Sequence, residues 1–465
     1  MKTRQDQEFF GMTRNPTENH FQFYKQEVES KPDGDSKPEN PWVRPFKTTK
    51  ERVREVRKRR RKVRDFFEEF SLKNLGAMLK WTWSWVKHRL KRTHRFVVYP
   101  DNESDNGIYR MDAEFRILLA SDWGTATPDA IAIGERMGSL EPKADITIHL
   151  GDVYYTGEED EYRDYFFPYW PSGRHVEHPI FLLNANHEMY SGGHGYFNYA
   201  IRRAGQKASY FCLENDHWRI IGLDTGYHSV KADKRSVDKQ DARYVKLPKA
   251  LVKWLREKVF TDPNDTRGII LLSHHQWFCS FGTEYHRPAQ QLLEWIQSPV
   301  LWFWGHEHVF AAYGLTEEVT DAKSKTITGI PVYARCIGHG GMPAQIERLE
   351  EKLEDRQKQG RVRDLILWDK RRFRKVNGTT LGYNGFVDLQ FNGDRLLASY
   401  HDNTKVLLEE EWQATPAGII GKVSSISDEL EPEPGRTINE LYGSNVTVVH
   451  EDTQMFAKPG SENVS

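Results

Sequence analysis

The sequence has few cysteines and no long apolar run. Cys212, Cys279 and Cys336 are the three cysteines in 465 residues, and none of them lies in a CxxC pair. This excludes a disulfide-stapled scaffold and a zinc ribbon, and it fits a reducing compartment. No stretch of about 18 uncharged apolar residues occurs, so no membrane-spanning helix is expected. The first residues lack the apolar core of a secretory signal, and we therefore expect a cytoplasmic protein.

The chain is nearly neutral overall, but its basic and acidic side chains are unevenly distributed along the sequence. It carries 66 basic and 67 acidic side chains, a net charge of -1. Residues 51–95 hold 16 Lys or Arg against 5 Asp or Glu, a net charge of +11, so the remainder carries -12. A basic segment of this kind indicates contact with an anionic partner or with the acidic body of the chain.

The basic segment is predicted to form two helices, Val53–Phe70 and Leu72–Leu90, the second amphipathic and rich in tryptophan. One interpretation is packing on the folded body or self-association into a homo-oligomer. A second is an anionic membrane surface, bound through residues 51–95, which would make the protein cytoplasmic but peripheral at a membrane. Nucleic acid is the third and less favoured partner, since Arg57–Lys62 are six consecutive basic residues.

After this segment, short apolar runs alternate with turns and helical stretches. The predicted strands are Phe115–Ala120, Ile146–Leu150, Ile180–Leu183, Ile269–Leu272 and Val300–Trp304. The predicted helices are Asp129–Gly138, Leu247–Val259 and Ala289–Gln297, and a hairpin is predicted through Ser209–Cys212 and Trp218–Leu223. Alternation of strands and helices is typical of a layered α/β domain.

With the rest of the chain included, the sequence predicts four segments. Strands at Pro331–Ile337, Gly385–Phe391 and Leu396–His401 are expected to form the second sheet of a sandwich, interrupted by a charged helix near Pro343–Gln359. The predicted parts are a polar, disordered arm (1–50), a basic amphipathic helical extension (51–110), one large folded domain (111–405) and a weakly ordered acidic C-terminal tail (406–465).

Polar side chains follow each of the five early strands. In strand order they are Asp122; Asp152; Asn186, His187 and Glu188; His274 and His275; and His306 and His308. Because ligands bind at the carboxyl edge of α/β sheets, we expect these side chains to meet at one site. Carboxylate, amide and imidazole donors together suit a pair of divalent or trivalent metal ions.

These motifs, in this order, resemble those of the calcineurin-like metallophosphoesterases. The matching stretches, within residues 113–402, are Asp122-Trp123-Gly124, Gly151-Asp152, Asn186-His187-Glu188, Ser273-His274 and Gly305-His306-Glu307-His308. Ala185 stands where the family usually has Gly. The resemblance implies a four-layer α/β/β/α sandwich, preceded here by the basic helical extension. It also implies a phosphoesterase that hydrolyses phosphate mono- or diesters by attack of a hydroxide bound to two metal ions.

Gly124 distinguishes this chain within the family, because most members have a metal-binding His at that position. The stretch Gly151-Asp152-Val153-Tyr154-Tyr155 is similar to the Gly-Asp-x-x-Tyr motif of purple acid phosphatases, in which a tyrosinate binds ferric iron. The resemblance thus implies Tyr155 as the replacement ligand and an acid-phosphatase-like enzyme whose two metal ions are Fe with Fe, Mn or Zn. Ordinary aromatic packing is the alternative for Tyr155.

Carried over residue by residue, the resemblance implies two ligand sets that share Asp152. The first metal would be held by Asp122, Asp152, Tyr155 and His308, and the second by Asp152, Asn186, His274 and His306. His187 would contact phosphate or protonate the leaving group, and Glu188 would orient it, unless Glu188 only caps a helix.

Because His274 is the histidine that matches the family pattern, His275 is expected to support the ligands or line the pocket rather than bind metal. His275, His194 and His339 remain candidates for contact with substrate. A competing hypothesis is a membrane-surface or scaffold protein that uses a phosphoesterase-like domain for binding rather than turnover. The intact polar residues in all five motifs weigh against that alternative.

Overall fold

The computed structural model describes residues 93–100, 105–230, 245–320, 325–342, 344–361, 364–376 and 378–442. The predictions for the polar arm, for nearly all of the basic segment (residues 51–92) and for residues 443–465 therefore lie outside the described residues. Within the described ranges, no helix is long and apolar enough to cross a membrane.

Two sheets form the centre of the structure. In spatial order the first contains β1 (Ile108–Arg110), β5 (Phe211–Glu214), β6 (Trp218–Gly222), β7 (Gly268–Ser273), β8 (Val300–Trp304), β10 (Thr326–Ile337), β9 (Phe310–Thr320) and β11 (Leu365–Trp368). The second contains β17 (Gly418–Ile426), β16 (Val406–Thr415), β15 (Arg395–Asp402), β14 (Gly385–Asn392), β2 (Glu114–Ala120), β3 (Ile146–His149) and β4 (Ile180–Leu182). A separate hairpin joins β12 (Arg374–Val376) to β13 (Thr379–Leu381).

The helices are short, and several continue into a turn of π-helix. They are α1 (Pro128–Ser139), α2 (Glu159–Glu161), α3 (Asn186–Tyr190), α4 (Ile201–Arg203), α5 (Lys249–Trp254), α6 (His286–Leu292) and α7 (Ile346–Lys358). The π-helical turns are Tyr162–Phe166, Tyr196–Ala200 and Leu255–Val259, and a 3₁₀ turn spans Ile438–Tyr442. α1 begins with a threonine cap, because the Thr127 hydroxyl accepts the N–H of Ala130 at 3.2 Å.

Three hydrophobic clusters lie between four layers. The first joins the inner faces of the two sheets, with Ile117 and Val387 from one and Ile220 and Phe303 from the other. The second packs α5, α6 and α7 on the outer face of the first sheet. The third packs α1, α3 and the adjoining aromatic turns on the outer face of the second sheet. The fold is therefore the four-layer α/β/β/α sandwich that the sequence predicts.

The central strands are parallel, so their carboxyl ends share one edge. β2 pairs with β3 and β3 with β4 in parallel, and β6, β7 and β8 do the same in the other sheet. Such strands are covered on both faces, which explains why they appear in the sequence as uninterrupted apolar runs. The predicted ligands and catalytic residues follow β2, β3, β4, β7 and β8, in loops or, after β4, in the first turn of α3.

The assignment of the late strands to one sheet is wrong. β10 lies beside β8 in the first sheet, whereas β14 and β15 extend the second sheet from β2. Each sheet thus combines early and late parts of the chain. This pairing connects residues more than 250 positions apart, and no local pattern specifies it.

The predicted C-terminal tail also begins too early. β16 and β17 extend the second sheet beyond β15, and the side chains of Leu408, Trp412 and Ile419 enter the core between the sheets. The acidic run Glu409–Glu411 suggested an exposed tail, but Glu410 is fully buried. It forms an ion pair of 2.6 Å with Arg335 of β10, which is equally buried.

Candidate metal centre

The loops at the shared edge bend sharply at three of the predicted ligands. Asp122, Asp152 and His306 have φ values of 57°, 67° and 71°, and they are three of the four non-glycine residues with positive φ among the described residues. This conformation costs roughly 1–3 kcal/mol per residue, so the surrounding structure must hold it. Glycine before His306 permits the close approach, because a Cβ on Gly305 would clash with the Ser121 hydroxyl and the Asp122 carboxylate.

One group of lone-pair atoms surrounds His274, which follows β7. Its Nδ1 donates to the carbonyl of Leu150 at 3.1 Å, so Nε2 of the neutral ring carries the lone pair. Nε2 lies 3.1 Å from Asn186 Oδ1, 3.2 Å from Asp152 Oδ2 and 3.2 Å from His306 Nδ1. Ligands about 2.1 Å from a common cation are separated by roughly 3.0–3.4 Å, so this spacing fits a metal ion.

Hydrogen bonds outside this group fix the direction of its members. The Asn186 amide donates from Nδ2 to the Tyr190 hydroxyl at 3.2 Å, which directs Oδ1 toward His274. His306 Nε2 lies 3.3 Å from the Tyr285 hydroxyl, which leaves Nδ1 toward the same point. Partners of this kind set the tautomer and orientation of metal ligands in other proteins.

A second group of oxygen and nitrogen atoms surrounds Asp122. The Tyr154 hydroxyl lies 2.9 Å from Asp122 Oδ1, 3.4 Å from Asp152 Oδ2 and 3.0 Å from His308 Nε2. His308 Nε2 is itself 3.4 Å from Asp122 Oδ1. Asp152 therefore belongs to both groups, as a bridging carboxylate would.

The tyrosine that faces Asp122 in the structure is Tyr154, one position before the predicted Tyr155. Tyr154, which is buried, directs its hydroxyl into the group around Asp122. Tyr155 contributes backbone contacts at this point: its N–H donates to Glu161 at 2.7 Å and its carbonyl accepts from His187 at 2.7 Å. The motif spacing indicated that a tyrosine replaces the missing histidine, but the course of the loop decides which of two neighbours it is.

His187 lies beside the bridging carboxylate with one nitrogen available. Its Nδ1 donates to the carbonyl of Tyr155, and its Nε2 lies 3.8 Å from Asp152 Oδ2. Its backbone N–H donates to Asp152 Oδ1 at 3.1 Å. The imidazole is partly exposed, so Nε2 can exchange a proton with a group bound at the centre.

Glu188 does not orient His187 through the contacts that the structure shows. Its carboxylate accepts the N–H groups of Asp152 and Val153 at 3.2 and 2.8 Å, and the Tyr162 hydroxyl at 3.0 Å. Burial and the nearby Asp152 raise the pKa of Glu188 to about 7. Glu188 therefore positions the strained loop that carries Asp152.

The pKa values of the residues at this centre depend on two carboxylates, Asp122 and Asp152, that are buried side by side. Burial alone would raise the pKa of Asp152, but His187 and His274 hold it well below its usual value. Burial would lower the pKa of His274, yet Asp152 and Asp122 raise it to about 9. Burial and the charge of His274 lower the pKa of His306 to about 4. Binding of a cation would replace the proton on His274, and the donor set fits two such cations.

Four other histidines near the sequence motifs, His275, His149, His194 and His339, differ in their surroundings. His275 contributes a nitrogen within 4.8 Å of those of His274 and His306, so it belongs to the cluster. His149 accepts the N–H of Trp123 at 3.3 Å inside the second sheet, as a structural residue. His194 packs edge-on against His94, and His339 lies against Phe310; no described contact joins either to the ligand groups.

Sequence comparison identifies the part of the chain that carries this centre. Residues 115–310 match the family model of the calcineurin-like phosphoesterases. This part of the chain is therefore similar to the calcineurin-like phosphoesterases. All the predicted site residues, and the cluster of side chains that could hold a metal ion, lie within the matched residues. No curated protein is detectably similar to the chain in sequence.

Several solved structures share features of the fold with the phosphoesterase domain. PhoD is 12% identical, with a TM-score of 0.39 over 70% of this chain and 74% of its own. The purple acid phosphatase PPD1 from yellow lupin (Lupinus luteus) seeds is 15% identical, with a TM-score of 0.37 over 63% and 52%. A dimetal phosphatase from Danio rerio is 10% identical, with a TM-score of 0.35 over 65% and 99%.

Proposed function

We propose that this phosphoesterase hydrolyses phosphate mono- or diesters at a dinuclear metal centre. The observation that carries the proposal is the pair of lone-pair groups, with internal spacings of 2.9–3.4 Å, that share Asp152. The proposed ligands of one ion are Asp122, Asp152, Tyr154 and His308, and those of the other are Asp152, Asn186, His274 and His306. Two bound metal ions would clamp the phosphate oxygens and lower the pKa of a bound water that attacks phosphorus.

His187 is the proposed catalytic residue among the protein groups. Because its Nδ1–H is donated to the Tyr155 carbonyl, Nε2 is the nitrogen that gains and releases a proton beside Asp152. With both nitrogens protonated, His187 donates the Nε2 proton to the departing alkoxide or to a phosphate oxygen. General acid catalysis of this kind contributes about 10²–10⁴-fold to the rate.

The proposed metals are iron with a second iron, manganese or zinc. A phenol among carboxylate and imidazole donors is a hard ligand that suits ferric iron, and the Tyr154 hydroxyl lies within 3.0 Å of Asp122 and His308. The proposal therefore places the chain in a purple-acid-phosphatase-like subgroup, with the tyrosine at position 154.

Metal reconstitution tests this proposed function. The metal-free full chain is loaded with Fe, Mn or Zn, and bound metal and hydrolysis of p-nitrophenyl phosphate and bis-p-nitrophenyl phosphate are measured. We expect two metal ions per chain and turnover that depends on them. Two bound ions without hydrolysis of either ester would favour the competing scaffold hypothesis.

Replacement of the two tyrosines, one at a time, separates their roles. Tyr154→Phe is expected to remove the visible tyrosinate-to-iron absorption of the iron-loaded protein and to weaken iron binding more than 10-fold, because it removes an inner ligand. Tyr155→Phe is the matched control and is expected to retain both. Loss of the absorption in Tyr155→Phe alone would reverse the assignment.

Replacement of Glu188 tests its contact with the Asp152 loop. Glu188→Gln replaces one acceptor oxygen by an N–H₂ group that faces backbone donors, so we expect metal affinity to fall about 10–100-fold. Turnover at saturating metal should stay close to that of wild type, because His187 keeps its contact with the Tyr155 carbonyl. The exposed Glu294→Gln serves as the control. Unchanged affinity with reduced turnover at saturating metal would instead support a direct link between Glu188 and His187.

A further inference from the structure

His275 stands out because it forms a cluster of three imidazoles with His274 and His306 and is the one member that neither ligand set uses. The rings of His274 and His306 lie 4.9 Å from that of His275, centroid to centroid. One nitrogen from each of the three lies within 4.8 Å of the others. His275 is 1% exposed, so its imidazole is shielded from water.

The two nitrogens of His275 have different surroundings. Nδ1 lies 3.1 Å from the Thr225 hydroxyl oxygen, which also accepts the backbone N–H of His275 at 3.0 Å. Nε2 is buried and has no hydrogen-bond partner among the described residues. Burial of a polar nitrogen without a hydrogen-bond partner is unfavourable, which indicates that Nε2 has a partner from outside the chain.

Thr225 gives His275 the arrangement found in metal-binding histidines. With Nδ1–H donated to the hydroxyl oxygen, the lone pair of the neutral ring is on Nε2, the unpartnered atom. A fixed outer hydrogen bond of this kind sets the tautomer of metal-ligating imidazoles.

We propose that His275 is an additional ligand of the second metal ion, together with Asp152, Asn186, His274 and His306. This inference rests on the proposed dinuclear function and specifies the metal of one half of the site. Three imidazoles with one carboxylate and one amide favour Zn²⁺ or Fe²⁺ over Mn²⁺ and Mg²⁺, which prefer oxygen donors. His275 thus determines which metal the second position selects.

His275→Asn is the direct test, because the shorter amide can still bond to Thr225 while Nε2 is removed. The full chain is freed of metal and offered equal concentrations of Zn²⁺ and Mn²⁺, and bound metal is measured by mass spectrometry. We expect the ratio of bound zinc to manganese to fall about 10-fold or more. In the protein loaded with two zinc ions, X-ray absorption should show three imidazole ligands per chain instead of four.

Two further variants keep the test independent of folding. Thr225→Val retains the imidazole but removes its orienting partner, and zinc affinity should fall about 10–100-fold. His401→Asn, a buried histidine of β15, is the matched control and should behave as wild type. An unchanged imidazole count and metal ratio in folded His275→Asn would overturn this inference and leave the dinuclear function intact. Failure of the wild-type chain to bind two metal ions would overturn both.

Discussion

Asp152→Asn is expected to abolish loading of both metal positions and to reduce turnover by well over 100-fold. Asp152 belongs to both groups of lone-pair atoms, 3.2 Å from His274 Nε2 and 3.4 Å from the Tyr154 hydroxyl. Loss of a residue that only supports a ligand already costs about 10–100-fold in affinity or activity. Loss of the shared ligand should have a larger effect than this, because the neutral amide also removes one of the negative charges that would balance two cations.

The measurement combines metal content with hydrolysis of a chromogenic phosphate ester, on protein shown to be folded by circular dichroism. Asp216→Asn is a suitable control, since that carboxylate pairs with Arg110 at the surface and its side chain is 81% exposed. If folded Asp152→Asn binds two metal ions and keeps its turnover, the assignment of the centre is wrong.

A chain that ends at residue 405 is expected not to fold. It would lose β16 and β17, expose the edge of β15 and remove Leu408 and Trp412 from the core between the sheets. It would also leave the fully buried Arg335 without Glu410. Breaking a buried ion pair by removal of one partner costs about 3–5 kcal/mol, a large part of the stability of an ordinary domain.

A chain that ends at residue 442 is the matched control, because it keeps every described contact. Denaturant unfolding should give it the same midpoint as the full chain, whereas Glu410→Ala alone should lower the free energy of unfolding by about 3–5 kcal/mol. A folded and active chain ending at 405 would show that the last two strands are dispensable and would restore the predicted tail.

Local patterns predicted the elements that carry the centre, but not how they are assembled. β8 has the predicted limits, and β2 and β7 differ from theirs by a residue or two, since buried parallel strands are visible as apolar runs. The position of β14 beside β2 depends on pairing across the whole chain. Likewise, the glutamates in β16 made this segment look too polar for a buried strand. The charge of one of them, Glu410, is balanced by Arg335 of a distant strand.

At the site, likewise, the sequence predicted which residues take part but not which contacts each of them makes. Motif spacing identified the carboxylates, the amide and the imidazoles that the structure brings together. It could not distinguish Tyr154 from Tyr155, because successive side chains leave the loop in different directions. It also could not show that Glu188 accepts the N–H groups of Asp152 and Val153, since backbone donors leave no trace in sequence.

The interleaving of early and late strands has a consequence for the order of events during synthesis. The last proposed ligand, His308, leaves the ribosome well before β17, which ends the second sheet at Ile426. At about 5–20 residues per second, this interval is on the order of ten seconds. For much of that time β2, which precedes Asp122, lacks β14, its neighbour in the finished sheet. We therefore expect metal ions to enter the proposed centre only after the second sheet has closed.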